Sequence, residues 1–282
     1  MIHFSVASYN IHDCRGLDGR RDLHRVAAVI GELDVDLLAL QELHTEFGVR
    51  EDRRQLAALA ELTGYYPIPG PTLIRADTPC GTAIFSRYPV QSIRHEDLSI
   101  VQREPRGALD VSVSLQGLRV RLIGTHLGLG MRERSHQIHR LLGMVDRADS
   151  DVLLLAGDIN EWWPWSPALG QLHRYFGRQR GRPTFPAALP LLALDRLWLR
   201  SPHPFTARLH RHWSRTAFWA SDHLPIRAEI TLAPAAVNAT APAADVGHPH
   251  RRGRAAGSAP VISPAPVEAT HPAGGLTTDP LR

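Results

Sequence analysis

The sequence has no lysine, so all 32 of its basic residues are arginine, set against 28 acidic residues for a formal net charge of +4. That surplus is weak support for nucleic-acid binding, and part of it lies in the cluster Arg251, Arg252 and Arg254. Arginine forks suit bidentate phosphate binding, although a coding bias toward Arg and Ala accounts for the same composition. Cysteine is almost absent. Cys14 and Cys80 form neither a metal-type nor a redox-type spacing, so two reduced thiols are expected. No apolar run approaches the ~18 residues that span a bilayer, so no integral membrane association is expected. The opening HFSVASYN lacks a basic region followed by an apolar stretch, so no signal peptide is expected and a cytoplasmic location follows. Aromatic residues are missing from residue 233 onward, where Ala, Pro, Gly and small polar residues dominate. Such a composition cannot bury enough apolar surface to offset the entropy of ordering it. Residues 234–282 are therefore expected to be a disordered Ala/Pro-rich tail, and residues 1–233 a single domain, expected to be monomeric.

What is present is a 43% hydrophobic composition arranged in short, patterned segments. Residues 3–10 read as a strand, and Leu23, Val26, Ala27, Ile30 and Leu33 recur at helical spacing. The apolar run VDLLAL (35–40) predicts a buried strand, residues 52–62 a helix, and residues 82–86 another strand. ALDVSVSL (108–115) alternates, and with 118–124 it predicts a hairpin about Gln116-Gly117. Ile138, Leu141, Leu142 and Val145 mark a helix, and strands follow at 152–156, 194–199 and 226–232. Helices falling between buried strands predict sheets covered by helices.

The polar residues fall at the ends of these strands. Tyr9-Asn10, Gln41-Glu42, Thr125-His126, Gly157-Asp158-Ile159-Asn160 and Ser221-Asp222-His223 each lie beside a strand terminus. Ligands bind where strand ends and loops converge, and carboxylates with an amide make a hard-oxygen site suited to Mg²⁺ or Mn²⁺. Taken singly, each residue has a plainer explanation. Asn10 suits a turn, Glu42 and Asp222 suit helix caps, and His126 is one of 16 histidines. The ordered set carries the argument.

The segments SYNI (8–11), LLALQEL (37–43), GTAIFSRYPV (81–90), GTHL (124–127), GDIN (157–160), LDRL (194–197) and SDHLPI (221–226) run in one order across residues 3–232. In that order they resemble the endonuclease/exonuclease/phosphatase superfamily, whose members include deoxyribonuclease I and exonuclease III-like nucleases. Its short bacterial members look nearest, because the WWPWSP and PTFPA stretches are similar to theirs. The resemblance implies an α/β fold of four layers, two packed mixed β-sheets flanked by helices, with residues 1–233 as the catalytic domain. It implies a divalent-metal-dependent phosphodiesterase, with Glu42 as principal metal ligand helped by Asn10 and Asp222. Asp158 would orient and deprotonate the attacking water and Asn160 would position water or phosphate. His223, held by Asp195, would stabilise the charge building on phosphorus, and His126 would be the acid for the leaving group.

Arg103 and Arg106 in REPRGAL are candidates to grip substrate phosphate, the alternative being an exposed ion pair with Glu104. Trp162, Trp163 and Trp165 follow GDIN directly. Packing of their loop is the expectation, with stacking on a base or contact with lipid as alternatives. No long Arg-rich loop between Glu42 and Gly81 predicts insertion into a DNA groove, and no Lys-rich pocket suits a highly phosphorylated inositol ring. Nucleic acid is the first substrate reading. A phospholipid headgroup or small phosphate ester is the second. A binding module without catalysis is the third, and the intact Glu42, Asp158, Asn160, Asp222 and His223 argue against it.

Overall fold

The computed structural model describes residues 1–44, 53–72, 80–145 and 150–233. Among the described residues, eleven strands make two mixed sheets. The first sheet contains β1 (Ile2–Asn10), β2 (Leu37–His44), β3 (Tyr66–Pro69), β4 (Cys80–Ser86), β10 (Phe205–Arg211) and β11 (Ile226–Leu232), in the order β10-β11-β1-β2-β4-β3. The second contains β5 (Val90–Asp97), β6 (Gly107–Leu115), β7 (Leu118–His126), β8 (Val152–Asp158) and β9 (Asp195–Arg200), in chain order. Each sheet has one parallel pair, β1 with β2 and β7 with β8. Each pair is joined by a helix, α1 (Leu23–Leu33) in one case and α3 (Met131–Val145) in the other.

The alternating patterns explain the layering. Phe4, Val6, Ala39, Ile84, Leu109, Val111, Leu122, Leu154 and Leu197 meet between the sheets in one buried cluster. The opposite face of the first sheet, with Ala7, Tyr9, Leu38, Leu40 and Phe85, packs on Val26, Ile30 and Leu33 of α1 and Leu59 of α2 (Arg53–Thr63). On the second sheet, Ile123, Leu153, Leu155 and Trp198 pack on Ile138 and Leu141 of α3 and Leu169 and Leu172 of α4 (Pro167–Phe176). A short α5 (Arg215–Ala220) completes the helices on the first side. The four-layer sandwich expected from the sequence is the observed architecture.

Several elements extend or add to those read from the sequence. β4, β7 and β8 run further toward the site end than expected, while β3, β5, β10 and α5 have too few apolar residues in phase to announce themselves. α4, not read from the sequence, has Ala168, Leu169 and Leu172 on one buried face. Asp110 breaks the simple alternation reading of β6. Its side chain is buried and paired with Arg121, whose guanidinium also donates to the carbonyls of Met144 and Val145 at the end of α3.

Gly157 has no substitute. A Cβ there would lie 1.9 Å from the Thr125 carbonyl oxygen, so only glycine lets β8 run this close to β7 before Asp158. The described residues form one compact unit. The expected tail at 234–282 and the connections at 45–52 and 73–79, part of the stretch in which a groove-binding loop was sought, lie outside the described residues.

Candidate active site

The carboxyl ends of the two parallel pairs point the same way, and they carry the polar set. Asn10 ends β1, Glu42 lies near the end of β2, His126 ends β7 and Asp158 ends β8. The antiparallel neighbours add the rest: Asp195 opens β9 directly opposite Asp158, and Asp222 and His223 precede β11. Glu42, Arg106, His126, Asp158, Asn160, Asp222 and His223 line one cleft of about 570 Å³.

Asn10 joins the two sheets. Its Nδ2 donates to Glu42 Oε1 at 2.8 Å and to Asp158 Oδ2 at 3.1 Å, while its Oδ1 accepts the His12 backbone N–H at 3.0 Å. Two carboxylates thus lie within hydrogen-bond reach of a single nitrogen. Glu42 gets its aim from an irregularity. The β2–β4 register shifts between Leu40 and Leu43, and Glu42 sits there with φ 57°. Such a bulge re-aims a side chain that regular pleating would turn elsewhere. Burial raises the Glu42 carboxyl pKa, opposed by the Asn10 hydrogen bond, and the nearby Asp222 charge adds to the rise.

Asp158 is buried at the centre of the cleft floor. Its Oδ1 accepts the Asn160 backbone N–H at 2.9 Å, and its Oδ2 lies 3.7 Å from Nε2 of both His126 and His223. Asn160, also left-handed at φ 54°, donates its amide to the Leu127 carbonyl at 2.8 Å and faces His126 Nε2 at 3.0 Å.

The two histidines are held in opposite states. Burial would lower the His223 pKa, but the Asp195 carboxylate, 2.8 Å from Nδ1, together with Asp158 and Asp222, pushes it up to about 10. Asp195 is itself fixed by the Thr184 hydroxyl, and Phe185 lies against the His223 ring at 4.8 Å between centroids. For His126, burial dominates and pushes the pKa down to about 3, opposed by Asp158 and assisted by Arg106 and His223. Both ring nitrogens of His126 face donors, Nδ1 the Arg106 Nη1 at 3.2 Å and Nε2 the Asn160 amide nitrogen at 3.0 Å, an arrangement that favours an uncharged ring.

Arg106 is buried and also pairs with the exposed Glu104 at 2.8 Å. Arg103 is exposed on the neighbouring turn and does not line the cleft. The tryptophans depart from the packing expectation. Trp162, Trp163 and Trp165 are 49%, 48% and 72% exposed and touch one another edge to face. Their loop is anchored by Glu161, which is buried and accepts from Arg134 Nη2 at 3.0 Å, Ser166 Oγ at 2.7 Å and the Trp163 N–H at 3.1 Å. Arg134 also donates to the Gly128 and Leu129 carbonyls.

Sequence reasoning missed this Arg134–Glu161 clamp, Thr184, and His12, whose Nδ1 lies 3.5 Å from Asp222 Oδ1. Closeness to GDIN, PTFPA and SYNI pointed to Glu161, Thr184 and His12, and no motif pointed to Arg134. Among the described residues, Asp158, Asp195 and His223 have ligand atoms within 4.8 Å of one another, although His223 Nδ1 is already taken by Asp195 Oδ2. Glu42 and Asp222 line the same cleft, and with the Asn10 carboxamide, whose oxygen accepts the His12 N–H, they are the oxygen donors whose chemistry suits a hard cation.

The model of the Endonuclease/Exonuclease/phosphatase family matches residues 7–223. The "Uncharacterized protein YbhP" of Escherichia coli (strain K12) is 34% identical over 167 residues, 54% of this chain and 63% of that protein's length. Among solved structures, an endonuclease/exonuclease/phosphatase from Beutenbergia cavernae matches with TM-score 0.64 and 23% identity, covering 82% of this chain and 72% of that one. TDP2 from D. rerio, complexed with a single-strand DNA product, matches with TM-score 0.62 and 22% identity over 81% of this chain and 99% of that one. The mannosyl-6-phosphatase Bt3783 of Bacteroides thetaiotaomicron matches with TM-score 0.61 and 18% identity, over 81% and 99%.

Proposed function

The chain belongs to the Endonuclease/Exonuclease/phosphatase family, a family of divalent-metal-dependent phosphoester hydrolases, and on that premise we propose that it hydrolyses a phosphodiester with Mg²⁺ or Mn²⁺. The observation that carries this reading is the single Asn10 nitrogen bonded to both Glu42 and Asp158, with His223 beside Asp158. A metal-holding carboxylate and a water-orienting carboxylate must be this close to act on one phosphate. Glu42, Asp222 and Asn10 would hold the cation. When bound it would draw charge from the phosphoryl oxygens and the leaving oxygen.

The chain's own groups would do the rest. Asp158 orients the attacking water and takes its proton as the water oxygen bonds to phosphorus. Asn160 fixes that water or a phosphoryl oxygen. His223, cationic and braced by Asp195, faces the negative charge that builds on phosphorus. The ring of His126 stays neutral in the free site, which argues against a resident acid for the leaving group. Arg106 presents the His126 ring and is the basic side chain best placed for substrate phosphate. A DNA-bound protein and a sugar phosphatase share this fold, so the fold itself does not select nucleic acid over other esters.

The test is turnover of bis-p-nitrophenyl phosphate. Activity should vanish in chelator and return with Mg²⁺ or Mn²⁺, and zinc should serve poorly. Glu42→Gln should weaken the metal dependence and be partly rescued by excess cation. Asp158→Asn should lower kcat by about 10³-fold or more while metal binding survives. Equal activity with and without chelator would remove the metal from the reaction.

A further inference from the structure

Four segments surround the cleft at the site end of the second sheet: 98–106 before β6, 127–131 after β7, 159–166 after β8 and 177–194 before β9. Among the described residues fifteen large apolar side chains are exposed, and eight of them lie on these four segments. Val101 is 88% exposed, Leu129 75%, Trp165 72%, Leu191 67% and Leu189 62%. The patch is continuous with the cleft, because Leu129 and Trp162 line its wall, as do Phe185 and Leu192 at the base of the Leu189–Leu191 turn. It is also built. The buried Arg134–Glu161 pair and the Ser166 hydroxyl hold the tryptophan loop out, where it does not fold back onto the domain. Across the cleft, the loop after β1 is charged, with Asp13, Asp18, Arg21 and Asp22 in ion pairs.

A single-stranded nucleic acid would use the tryptophan faces, but it has little use for a valine and three leucines. A lipid surface uses all of them. Indole rings settle at headgroup depth and aliphatic side chains enter the acyl boundary. Charge agrees, since Arg103 and Arg132, both exposed and without an ion pair among the described residues, alternate with Val101 and Met131 in the rim. Arginine set among apolar residues matches the phosphate layer above the acyl chains.

We infer that this rim docks the cleft onto a phospholipid bilayer surface and that the substrate is a phosphodiester of a membrane lipid. This rests on the phosphodiesterase reading above. Water adds to phosphorus, the P–O bond to one alcohol breaks, and that alcohol leaves with a proton, so a phosphomonoester and an alcohol result.

The experiment sediments the full-length protein with vesicles of phosphatidylcholine, with and without phosphatidylglycerol, beside the variant Trp165→Ser/Leu189→Ser/Leu191→Ser. The parent should sediment with vesicles, more strongly when phosphatidylglycerol is present. The variant should bind at least about tenfold more weakly, and its turnover of vesicle lipid should fall in step. Its rate on soluble bis-p-nitrophenyl phosphate should stay within about twofold of the parent, because these exposed positions touch no reacting group. Leu191→Ser alone should change binding in the same direction if the triple variant folds poorly. Equal vesicle binding by parent and variant overturns the inference. So does loss by the variant of affinity for a single-stranded oligonucleotide in place of vesicles. A parent inactive on the soluble ester in Mg²⁺ would strike the phosphodiesterase reading, and the substrate assignment with it, while sedimentation still decides whether the rim docks.

Discussion

His223 and Asp195 give the sharpest test at the level of single residues, because charge on one depends on the other. With its pKa pushed up to about 10, His223 is an imidazolium through neutral pH. The stability this pair contributes is fully present below the ordinary imidazole pKa and is lost as pH rises through about 10. If the imidazolium also faces the transition state, activity shares that alkaline limit. Asp195→Asn removes the main positive contribution to the His223 pKa, so the alkaline limb of the kcat profile should move to lower pH. His223→Ala should reduce kcat with KM little changed, as expected for an interaction made chiefly in the transition state. The double variant should be little worse than His223→Ala alone. A loss equal to the product of the single losses would show that the two do not act as a pair. Residue types and order made these candidates readable in the sequence. The opposite protonation of His126 and His223 was not, since it follows from burial and from Arg106 and Asp195, which only the fold brings near.

At the scale of elements, strands with an apolar run or alternation were legible, the buried edge strand β9 among them, and exposed edge strands were not. β2, β8 and β11 are buried on one or both faces and write that burial into their residues. β5 and β10 are edges whose side chains are mostly exposed, so nothing forces a hydrophobic pattern on them. The Leu40–Leu43 irregularity that aims Glu42 is equally silent, because a bulge is a matter of pairing with β4. The Arg134–Glu161 clamp belongs to this scale as well, since it ties the turn after β7 to the turn after β8. Both partners are buried, so Glu161→Ala would leave a guanidinium without its main charge partner. That change should cost about 3–5 kcal/mol in denaturant unfolding. A loss below about 1 kcal/mol would mean that the loops hold together without the clamp.

For the molecule as a whole, the sequence could place seven motifs in order, but their meeting point depends on two sheets packing face to face. Asn10 and Asp158 are 148 positions apart and share a hydrogen bond. Only the pairing of β1 with β2 and of β7 with β8, each parallel, sends both carboxyl ends to one side. β11 closes the first sheet at Leu232. Because residues 236–282 offer no aromatic and little apolar material for a core, truncation after Pro234 should leave melting temperature and kcat unchanged within error. A marked fall in either would show that the removed segment contributes to the domain.

Glu42 and Asn160 both hold left-handed backbone conformations that glycine adopts without steric penalty. Thermal robustness and catalysis are therefore opposed at Glu42, whereas asparagine tolerates this conformation and Asn160 also holds the Leu127 carbonyl. Glycine at Glu42 should relieve about 1 kcal/mol of backbone strain while deleting the side chain proposed to hold the metal. A library ranked only by heat tolerance should enrich Glu42→Gly, and on the proposed mechanism those winners should be catalytically dead.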